Sequence, residues 1–244
     1  MEKKQKGVGI IGVGKYIPQI PITNEYLSGT TGLSATEIFE KTGINCRYRV
    51  EENETATGMS AIAAQRAIDM AGIDPKEIGI IVCATFSNDY IYPAMACKVQ
   101  ELIGAEHAGA YDILANCTGF QVALANVSDR MKVDDTIKYG LVLGTAIQSR
   151  YLDFSDINSA LFNGDGSGAA LLGKVPVDFG ILDTEIFTNS KVFESVRLRG
   201  GGSSFRMKPE NISEKFQYIE MNGIEVWKQV IQNQPRVIRN LLEK

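Results

Sequence analysis

Apolar, β-rich runs alternate with helical patterns along most of this chain, and this alternation constrains the fold more than any other feature. The runs with strand character cover residues 8–14, 78–86, 110–115 and 138–147. The stretches with helical periodicity cover residues 60–72, 94–104 and 118–132. Strands separated by helices favour a sheet that is covered by helices on both faces. The chain is therefore predicted to be an α/β protein with a mainly parallel or mixed sheet.

The part of the chain after residue 160 is less regular. A strand is predicted at 168–173, after a glycine-rich turn, and another is predicted to begin near Asp178. Residues 189–217 are predicted to form a long surface loop. A helix is predicted from about Gly223 to the last residue, with a kink or break at Pro235, because proline lacks the N–H that a helix interior needs.

Composition and charge exclude several classes of protein. The net charge of -4 lacks the basic footprint of a nucleic-acid-binding protein. The N-terminus has no long apolar region of the signal-peptide kind, and no run approaches the length of a membrane span. Four cysteines without a disulfide framework fit a reducing compartment. We therefore expect a cytoplasmic protein that binds neither nucleic acid nor membrane.

One cysteine lies at a junction that favours reactivity. The segment 111–131 runs from a strand pattern through Cys117 into a helical pattern. One face of that helix carries Phe120, Ala123, Val127 and Met131. At a helix start several backbone N–H groups are unpaired and point outward, and the helix dipole presents its positive end. Both features favour the thiolate, so Cys117 is a candidate nucleophile.

The competing interpretation is that Cys117 is a small buried filler, which is a common role for a free cysteine. Position alone leaves both interpretations open. Cys46, Cys83 and Cys97 lack the helix-start context and are predicted to be packing residues. No Cys-x-x-Cys pair occurs, so the sequence supports neither a redox motif nor a four-cysteine metal site.

Two glycine motifs match nucleotide-binding signatures only in part. Residues 7–12 match G-x-G-x-x-G in letters, but no strand precedes them and no helix follows, so a dinucleotide site is rejected. Residues 164–168 are not followed by the Lys-Ser or Lys-Thr of a phosphate-binding loop. They are predicted to form a tight turn near the active site that lets the backbone approach closely.

Seven segments together resemble the 3-oxoacyl-[acyl-carrier-protein] synthase III family, whose members have the thiolase fold. They occur in the family's order and cover nearly the whole chain, which makes the resemblance specific although each segment alone is weak. The segments are IIGVGKYIP from Ile10, KTGINCRYR from Lys41, the run from Asn53 to Ser87, YPAMACKVQELIG from Tyr92, NCTGF from Asn116, FNGDGSGAALLG from Phe162 and MNGIEVWK from Met221.

The resemblance implies that Cys117 carries an acyl group as a thioester. It further implies condensation of that group with a malonyl thioester, which loses carbon dioxide to give an enolate that must be stabilised at its oxygen. It implies a duplicated fold, with an N-terminal half at 7–175 and the beginning of a second half at 176–244. No metal or cofactor is expected, because coenzyme A enters as a thioester substrate.

The family's catalytic histidine and asparagine have no counterpart in the sequence. The single histidine, His107, lies in a polar turn between a helix and a strand and is expected at the surface. The family pattern continues well beyond the residues that match the end of this sequence at Lys244. We therefore expect either a fragment or a chain that a second polypeptide completes, and both alternatives stay open.

The resemblance also implies residues that bind the acyl donor. Lys41, Arg47 and Arg150 match basic positions near the coenzyme A nucleotide, although lysine lacks the bidentate fork of arginine. Glu37 stands where a stacking tryptophan is common, and its charge would repel a phosphate-rich ligand. Solvated surface charge is the alternative for these side chains. Acyl carrier protein therefore stands beside acyl-coenzyme A as an expected donor.

Two aromatic residues are implied to line acyl pockets. Tyr92 would reach across a homodimer into the neighbour's pocket, and Phe120 would pack beside the nucleophile. Ordinary core packing is the alternative for both.

Three functions remain open at this point. The first is a ketoacyl synthase III that starts fatty-acid or polyketide synthesis. The second is a thiolase-fold enzyme that transfers an acyl group to oxygen or nitrogen without condensation. The third is a non-catalytic partner subunit of a synthase.

Overall fold

The computed structural model describes residues 7–244, in which nine strands and six α-helices are formed. The strands are β1 (Gly7–Tyr16), β2 (Ile20–Thr23), β3 (Cys46–Arg49), β4 (Ile78–Ala84), β5 (Gly109–Ile113), β6 (Tyr139–Ala146), β7 (Gly166–Val175), β8 (Val196–Leu198) and β9 (Ile219–Met221). The helices are α1 (Asn24–Thr31), α2 (Ala35–Thr42), α3 (Ala56–Ala71), α4 (Met95–Ile103), α5 (Gly119–Val133) and α6 (Gly223–Leu242).

Packing divides the chain into two compact units. Among the described residues, the first unit contains 7–19, Val50–Ile147 and Asp165–Thr184. The second unit contains Ile20–Arg49, Gln148–Gly164 and Glu185–Lys244. The predicted halves at 7–175 and 176–244 describe a duplication of the fold. The packing units do not test a duplication, so these halves stay a prediction.

A five-stranded sheet forms the centre of the first unit, in the order β1–β7–β6–β4–β5. β4 pairs in parallel with both β5 and β6, whereas β7 runs antiparallel to β6 and β1. The predicted α/β fold with a mixed sheet is confirmed.

The central strand β4 is buried on both faces, which explains its unbroken apolar sequence. Its side chains alternate between the faces, as the pleat of a strand requires. Ile81 and Cys83 belong to the core that includes α3 and α4, whereas Ile80 and Val82 belong to the core that includes α5. Helices therefore lie on both faces of the sheet, as predicted.

Glycines in β1 allow α3 to lie directly against the strand. A Cβ atom at Gly12 would collide with the carbonyl oxygen of Ala67, and one at Gly14 would collide with that of Ala63. These glycines belong to a strand that runs unbroken from residue 7 to residue 16. The rejection of a dinucleotide fingerprint at 7–12 is confirmed, because that motif needs a strand–turn–helix arrangement.

Glycines also bring α5 close to the opposite face of the sheet. A Cβ atom at Gly140 would collide with Val127 Cγ1 and lie 3.0 Å from Met131 Sδ. A Cβ atom at Gly144 would lie 3.0 Å from Phe120 Cδ2. Because space on β6 is left for side chains of the helix, the first turn of α5 is held against the sheet.

The second unit has a smaller core between α1, α2 and the antiparallel pair β2–β3. Its buried apolar residues are Ile22, Leu27, Ile38, Ala160 and Leu161. These elements are only four or eight residues long. Such short segments contain too few residues to display a clear periodicity, so the sequence patterns do not predict them.

The strand predicted near Asp178 is wrong. Residues 178–189 form a turn, bends and irregular chain without a strand. The alternating pattern of this segment is typical of a strand, but a strand needs a ladder of backbone hydrogen bonds to a neighbour. The Ile181 N–H donates to the Val8 carbonyl of β1 at 2.8 Å, but no ladder forms between this segment and the strands in residues 7–244.

Two further predictions for this region need correction. The loop at 189–217 is largely irregular, but it contains β8, which pairs with β9, and two short 3-10 helices, Ser190–Ser195 and Pro209–Glu214. A break at Pro235 is wrong, because α6 continues through it, and a kink there stays a prediction. Proline removes one backbone donor from the helix, and the hydrogen bonds on both sides are enough to keep the helix continuous.

No α-helix within residues 7–244 combines the length and the apolar character that crossing a membrane requires.

Replacement of Gly140 by alanine tests the packing of α5. The new methyl group would collide with Val127, and we expect the free energy of unfolding to fall by about 1–3 kcal/mol, the usual cost of overpacking a core. Urea denaturation measures this change. Gly168→Ala on β7 is the matched control, because a Cβ atom there meets nothing within 4 Å. Equal stability of the two variants would contradict the packing described for α5.

Candidate active site

Cys117 lies between the end of β5 and the start of α5. It occupies the middle of a 3-10 turn, Asn116–Thr118, and α5 begins at Gly119. The thiol is exposed. The predicted strand-to-helix junction is therefore confirmed, and the interpretation of Cys117 as a buried filler is wrong.

The local hydrogen bonds correct one part of the prediction. The Thr118 N–H donates to the Ala115 carbonyl at 3.1 Å, and the Gly119 N–H donates to the Asn116 carbonyl. These two amides are therefore not free donors at the helix start, because the 3-10 turn uses them. The positive end of the α5 dipole remains next to the sulfur.

The residue before the cysteine adopts an unusual backbone conformation. Asn116 has φ of 46°, in the left-handed region that asparagine tolerates better than most side chains. It is the first residue of the 3-10 turn that carries Cys117.

The start of α5 is closely packed underneath Cys117. Gly119 is buried, and a Cβ atom there would lie 3.1 Å from Ala84 Cβ at the end of β4. Phe120 is half-buried and packs against the core of the α5 face beside Gly144. The core-packing interpretation of Phe120 is therefore confirmed, and its contact with an acyl chain stays a prediction.

Tyr92 lies on an exposed apolar loop of the first unit. Tyr90, Ile91 and Tyr92 are 72%, 92% and 85% exposed. The core-packing interpretation of Tyr92 is therefore wrong for the single chain. Its place in a neighbour's acyl pocket stays a prediction.

Carboxylates hold this loop at both ends. Asp89 accepts from the Ala56 N–H at 2.9 Å at the start of α3. Asp112 on β5 accepts from the Met95 N–H at 2.6 Å and the Ala96 N–H at 2.8 Å at the start of α4. Both carboxylates cap helix N-termini, where the dipole favours negative charge. The exposed loop is therefore fixed to a rigid base.

The other cysteines differ from one another. Cys83 is buried in the sheet core, and burial raises the pKa of its thiol well above the ordinary value. Cys46 is half-buried, and its thiol donates to the Arg47 carbonyl at 3.1 Å. Cys97 is exposed on α4, so its predicted packing role is wrong. Its sulfur lies 3.9 Å from the Ala110 carbonyl oxygen of the edge strand β5, whereas its neighbours Met95, Ala96 and Val99 are buried.

His107 lies in the turn between α4 and β5 and is exposed, as predicted. Among residues 7–244, no group of three or more His, Cys, Asp or Glu side chains could hold a metal ion.

The predicted donor-binding residues lie in the second unit. Lys41, in the last turn of α2, and Arg150, in the 3-10 turn Ser149–Tyr151, are exposed. The Glu37 carboxylate accepts from the Ser34 N–H at 2.8 Å, and this capping box lowers the pKa of Glu37. Glu37 therefore has a structural role, because its carboxylate caps the start of α2. Donor contacts of Lys41 and Arg150 stay predictions.

Arg47 is a buried cation. Only 5% of its surface is exposed, and burial lowers the pKa of its guanidinium. Its Nε donates to the Leu161 carbonyl at 2.9 Å, and its two Nη atoms donate to Leu161, Asn24 and Thr42. The guanidinium thus connects α1, α2 and the segment before β7. Contact of Arg47 with the acyl donor stays a prediction.

The glycine at the start of the glycine-rich turn allows this arrangement. A Cβ atom at Gly164 would lie 3.1 Å from Arg47 Cβ and 3.1 Å from the Tyr48 carbonyl oxygen. The predicted close approach of the backbone at 164–168 is confirmed there, and it is directed at β3.

The arrangement supports one kind of chemistry in the first unit. An exposed cysteine sulfur can act as a nucleophile towards a carbonyl carbon.

Known proteins are similar to this chain in sequence and fold. A family model described as 3-oxoacyl-[acyl-carrier-protein (ACP)] synthase III matches residues 111–190. The β-ketoacyl-[acyl-carrier-protein] synthase III of Natranaerobius thermophilus is 35% identical over 238 residues, which cover 96% of this chain and 71% of the relative. The synthase III of Escherichia coli O9:H4 is 34% identical over 233 residues, with the same coverage of 96% and 71%.

Among solved structures, the 3-oxoacyl-[acyl-carrier-protein] synthase III of Aquifex aeolicus is similar with a TM-score of 0.86 and 31% identity. The match covers 97% of this chain and 71% of that chain.

Replacement of Arg47 by methionine tests its structural role. Loss of the guanidinium leaves buried oxygen acceptors on Leu161 and Asn24 without a donor, and we expect the free energy of unfolding to fall by about 2–4 kcal/mol. Chemical denaturation measures the change. Arg49→Met is the matched control, because Arg49 is exposed on the same strand. A stable Arg47→Met variant that loses only donor binding would contradict the structural role.

Proposed function

This chain belongs to the 3-oxoacyl-[acyl-carrier-protein] synthase III family, with the thiolase-like α/β fold of that family, and on this premise we propose that Cys117 is its acyl acceptor. The observation that carries the proposal is the exposed Cys117 sulfur directly before α5. Four cysteines occur in the chain, and this one alone lies in a turn between a strand end and a helix start. The chain is accordingly an acyltransferase of the ketoacyl synthase III type that starts fatty-acid or polyketide synthesis.

The acyl-transfer step exchanges one thioester for another. The Cys117 thiolate attacks the carbonyl carbon of the donor thioester, and a new C–S bond forms. The bond from that carbon to the donor sulfur breaks, and the donor leaves as a thiol that carries the proton lost by Cys117. The α5 dipole supports the first part of this step, because it favours negative charge on the attacking sulfur.

The condensation step forms a carbon–carbon bond. A malonyl thioester loses carbon dioxide, and the electron pair of the broken bond becomes an enolate. The enolate carbon attacks the acyl carbonyl on Cys117, and the C–S bond breaks to restore the cysteine. Donors that stabilise the enolate oxygen lower the barrier of this step.

We assign those donors to a segment equivalent to the unmatched part of the relatives rather than to His107. His107 is the single histidine of the chain and is exposed in the turn between α4 and β5. The Natranaerobius relative has 29% of its length outside the match, since the match covers 71% of it. A segment equivalent to that part would bring the histidine and asparagine that the resemblance implies.

A homodimer is also proposed. β5 is an edge strand of the first unit's sheet, since β4 is its one neighbour among residues 7–244. Leu114 directly after this strand is 68% exposed, and the loop of Tyr90 to Tyr92 adds further apolar surface. Open strand edges and apolar patches are typical of surfaces that another chain covers. Sedimentation that shows a monomer at micromolar concentration would contradict the homodimer.

Acylation of Cys117 is the direct test of the proposed function. We expect the protein, incubated with an acyl-coenzyme A, to gain the mass of one acyl group on the peptide that contains Cys117. Cys117→Ser is expected to lose this thioester, whereas Cys97→Ser, which removes the other exposed thiol, is expected to keep it. Peptide mass spectrometry gives the site. An acyl group on Cys97 or none at all would contradict the proposal.

Measurement of condensation separates this function from its alternatives. With malonyl-acyl carrier protein added, residues 1–244 are expected to be acylated without a condensed product, and the product is expected when the unmatched part of the Natranaerobius relative is supplied as well. A condensed product from the chain alone would contradict the assignment of the enolate donors.

Lys41 tests the choice of acyl donor. We propose that Lys41 and Arg150 contact the phosphates of coenzyme A, which acyl carrier protein presents differently. Lys41→Glu is expected to lower kcat/KM of acylation by acyl-coenzyme A about tenfold, which corresponds to one lost hydrogen bond to a charged group. The loss with acyl-carrier-protein donors is expected to be smaller. Lys191→Glu is the control with the same charge change, and equal losses with both donors would contradict the assignment.

A further inference from the structure

A small cavity lies at the start of α3 in the first unit. Its volume is about 160 Å³, which is space for about five water molecules. The end of β1, the loop before α3 and the first two turns of α3 line the cavity. The lining side includes Tyr16, Asn53, Glu54, Gly58, Met59 and Ile62. None of these residues takes part in the acyl transfer proposed for Cys117.

Glu54 supplies a carboxylate to one wall of the cavity. The Tyr16 hydroxyl donates a hydrogen bond to Glu54 Oε1. The other oxygen, Oε2, accepts from the Glu51 N–H at 2.7 Å. Tyr16 is the last residue of β1 and pairs with Ser167 on β7, so the sheet sets its position. The carboxylate is therefore held in a defined orientation by a strand on one side and by the loop on the other.

The electrostatic field at the Tyr16 hydroxyl is negative on balance. Its hydrogen bond to Glu54, its burial and the negative charges of Glu54 and Glu51 raise the pKa of Tyr16 above the ordinary value. The positive charge of Arg66 acts in the opposite direction, but each of the two carboxylates has a larger effect. Tyr16 is therefore a neutral donor at neutral pH, and this wall of the cavity favours positive charge.

The remaining walls are mainly apolar. Met59 is buried in the core that includes α3, and Ile62, one turn further along the helix, is 41% exposed. Gly58 has no side chain, and a Cβ atom there would meet only Thr55 Oγ1 within 4 Å, at 3.2 Å. The surface of α3 beside Gly58 therefore stays open. Thioether and aromatic groups such as those of Met59 and Tyr16 are polarizable neighbours for a ligand.

A carboxylate beside apolar walls suits an organic cation better than other ligands. Glu54 would repel an anion. A metal ion prefers several oxygen ligands, whereas this wall presents one carboxylate. A neutral apolar molecule would remove water from the carboxylate without replacing its hydrogen bonds. An ammonium group, in contrast, donates to a carboxylate while the carbon chain that carries it contacts apolar side chains.

We propose that this cavity binds a small organic ammonium ion, whose nitrogen contacts Glu54 and whose alkyl part contacts Met59 and Ile62. Asn53 is exposed and also lines the cavity, so its amide oxygen is a further acceptor for the ammonium group. A ligand of this size has few non-hydrogen atoms, and the expected dissociation constant is therefore millimolar. The site goes beyond the proposed function and does not depend on the assignment of Cys117.

Titration with n-butylammonium tests the proposal, with NMR of labelled methionine and isoleucine methyl groups as the measurement. We expect saturable shifts of the Met59 and Ile62 signals, because the alkyl chain contacts both side chains. Two controls carry the same alkyl chain, n-butanol without a charge and n-pentanoate with the opposite charge. Both are expected to bind at least about tenfold more weakly. Absent shifts, or equal affinity for either control, would overturn the proposal.

Glu54→Gln tests the charge. It removes the negative charge but keeps an oxygen that accepts from the Tyr16 hydroxyl, and it is expected to weaken n-butylammonium binding about tenfold. Glu52→Gln makes the same charge change at an exposed neighbour outside the cavity lining and is expected to change binding less than about twofold. Equal affinities of the two variants would overturn the proposed contact with Glu54.

Ile62→Trp tests the position of the site. The larger side chain would fill the space beside Gly58, and we expect the shift of the Met59 signal to be lost. Leu102→Trp adds a tryptophan at an exposed apolar position of α4 and is expected to keep the shift. Retained binding in Ile62→Trp would place the amine elsewhere and refute the site. Far-UV circular dichroism checks that each variant is folded, and if one is not, the comparison of the three compounds on the unaltered protein decides.

Discussion

The close contact of α5 with the sheet is the constraint on which the site depends. Gly140 and Gly144 leave room on β6 for Val127 and Phe120, and Gly119 brings the first residue of the helix against Ala84. Because the packing density of a core leaves little freedom, these contacts fix both the axis and the start of the helix. The Cys117 turn has no space to move inward, and its sulfur therefore lies at the positive end of α5, open to solvent.

The parts of the fold that the sequence predicts are those whose burial is periodic. β4 reads as a strand because both of its faces are buried, and α5 reads as a helix because one face carries Ala123, Val127 and Met131. The cysteine at their junction could be located for the same reason. The helix start could be inferred, but the 3-10 turn that uses the amides of Thr118 and Gly119 depends on local dihedral angles that the pattern does not contain.

The errors arise where tertiary contacts decide. The segment after Asp178 has the alternation of a strand, but it forms no ladder with β1 although the Ile181 N–H donates to the Val8 carbonyl. Cys97 is of a residue type that is commonly buried, but it is exposed. Arg47 has the sequence context of a ligand contact, yet its guanidinium is buried among Leu161, Asn24 and Thr42. Sequence patterns identify a charged residue, whereas only the surrounding acceptors show whether the charge serves a ligand or the fold.

Alkylation of Cys117 and Cys97 in the same molecule tests the central claim most directly. Both thiols are exposed and both lie near a helix start, but the N-terminus of α4 is already capped by the Asp112 carboxylate, which opposes a second negative charge. The account predicts that iodoacetamide modifies Cys117 several-fold faster than Cys97 at neutral pH, as peptide mass spectrometry would resolve. Equal rates, or faster modification of Cys97, would contradict the claim that the start of α5 activates Cys117.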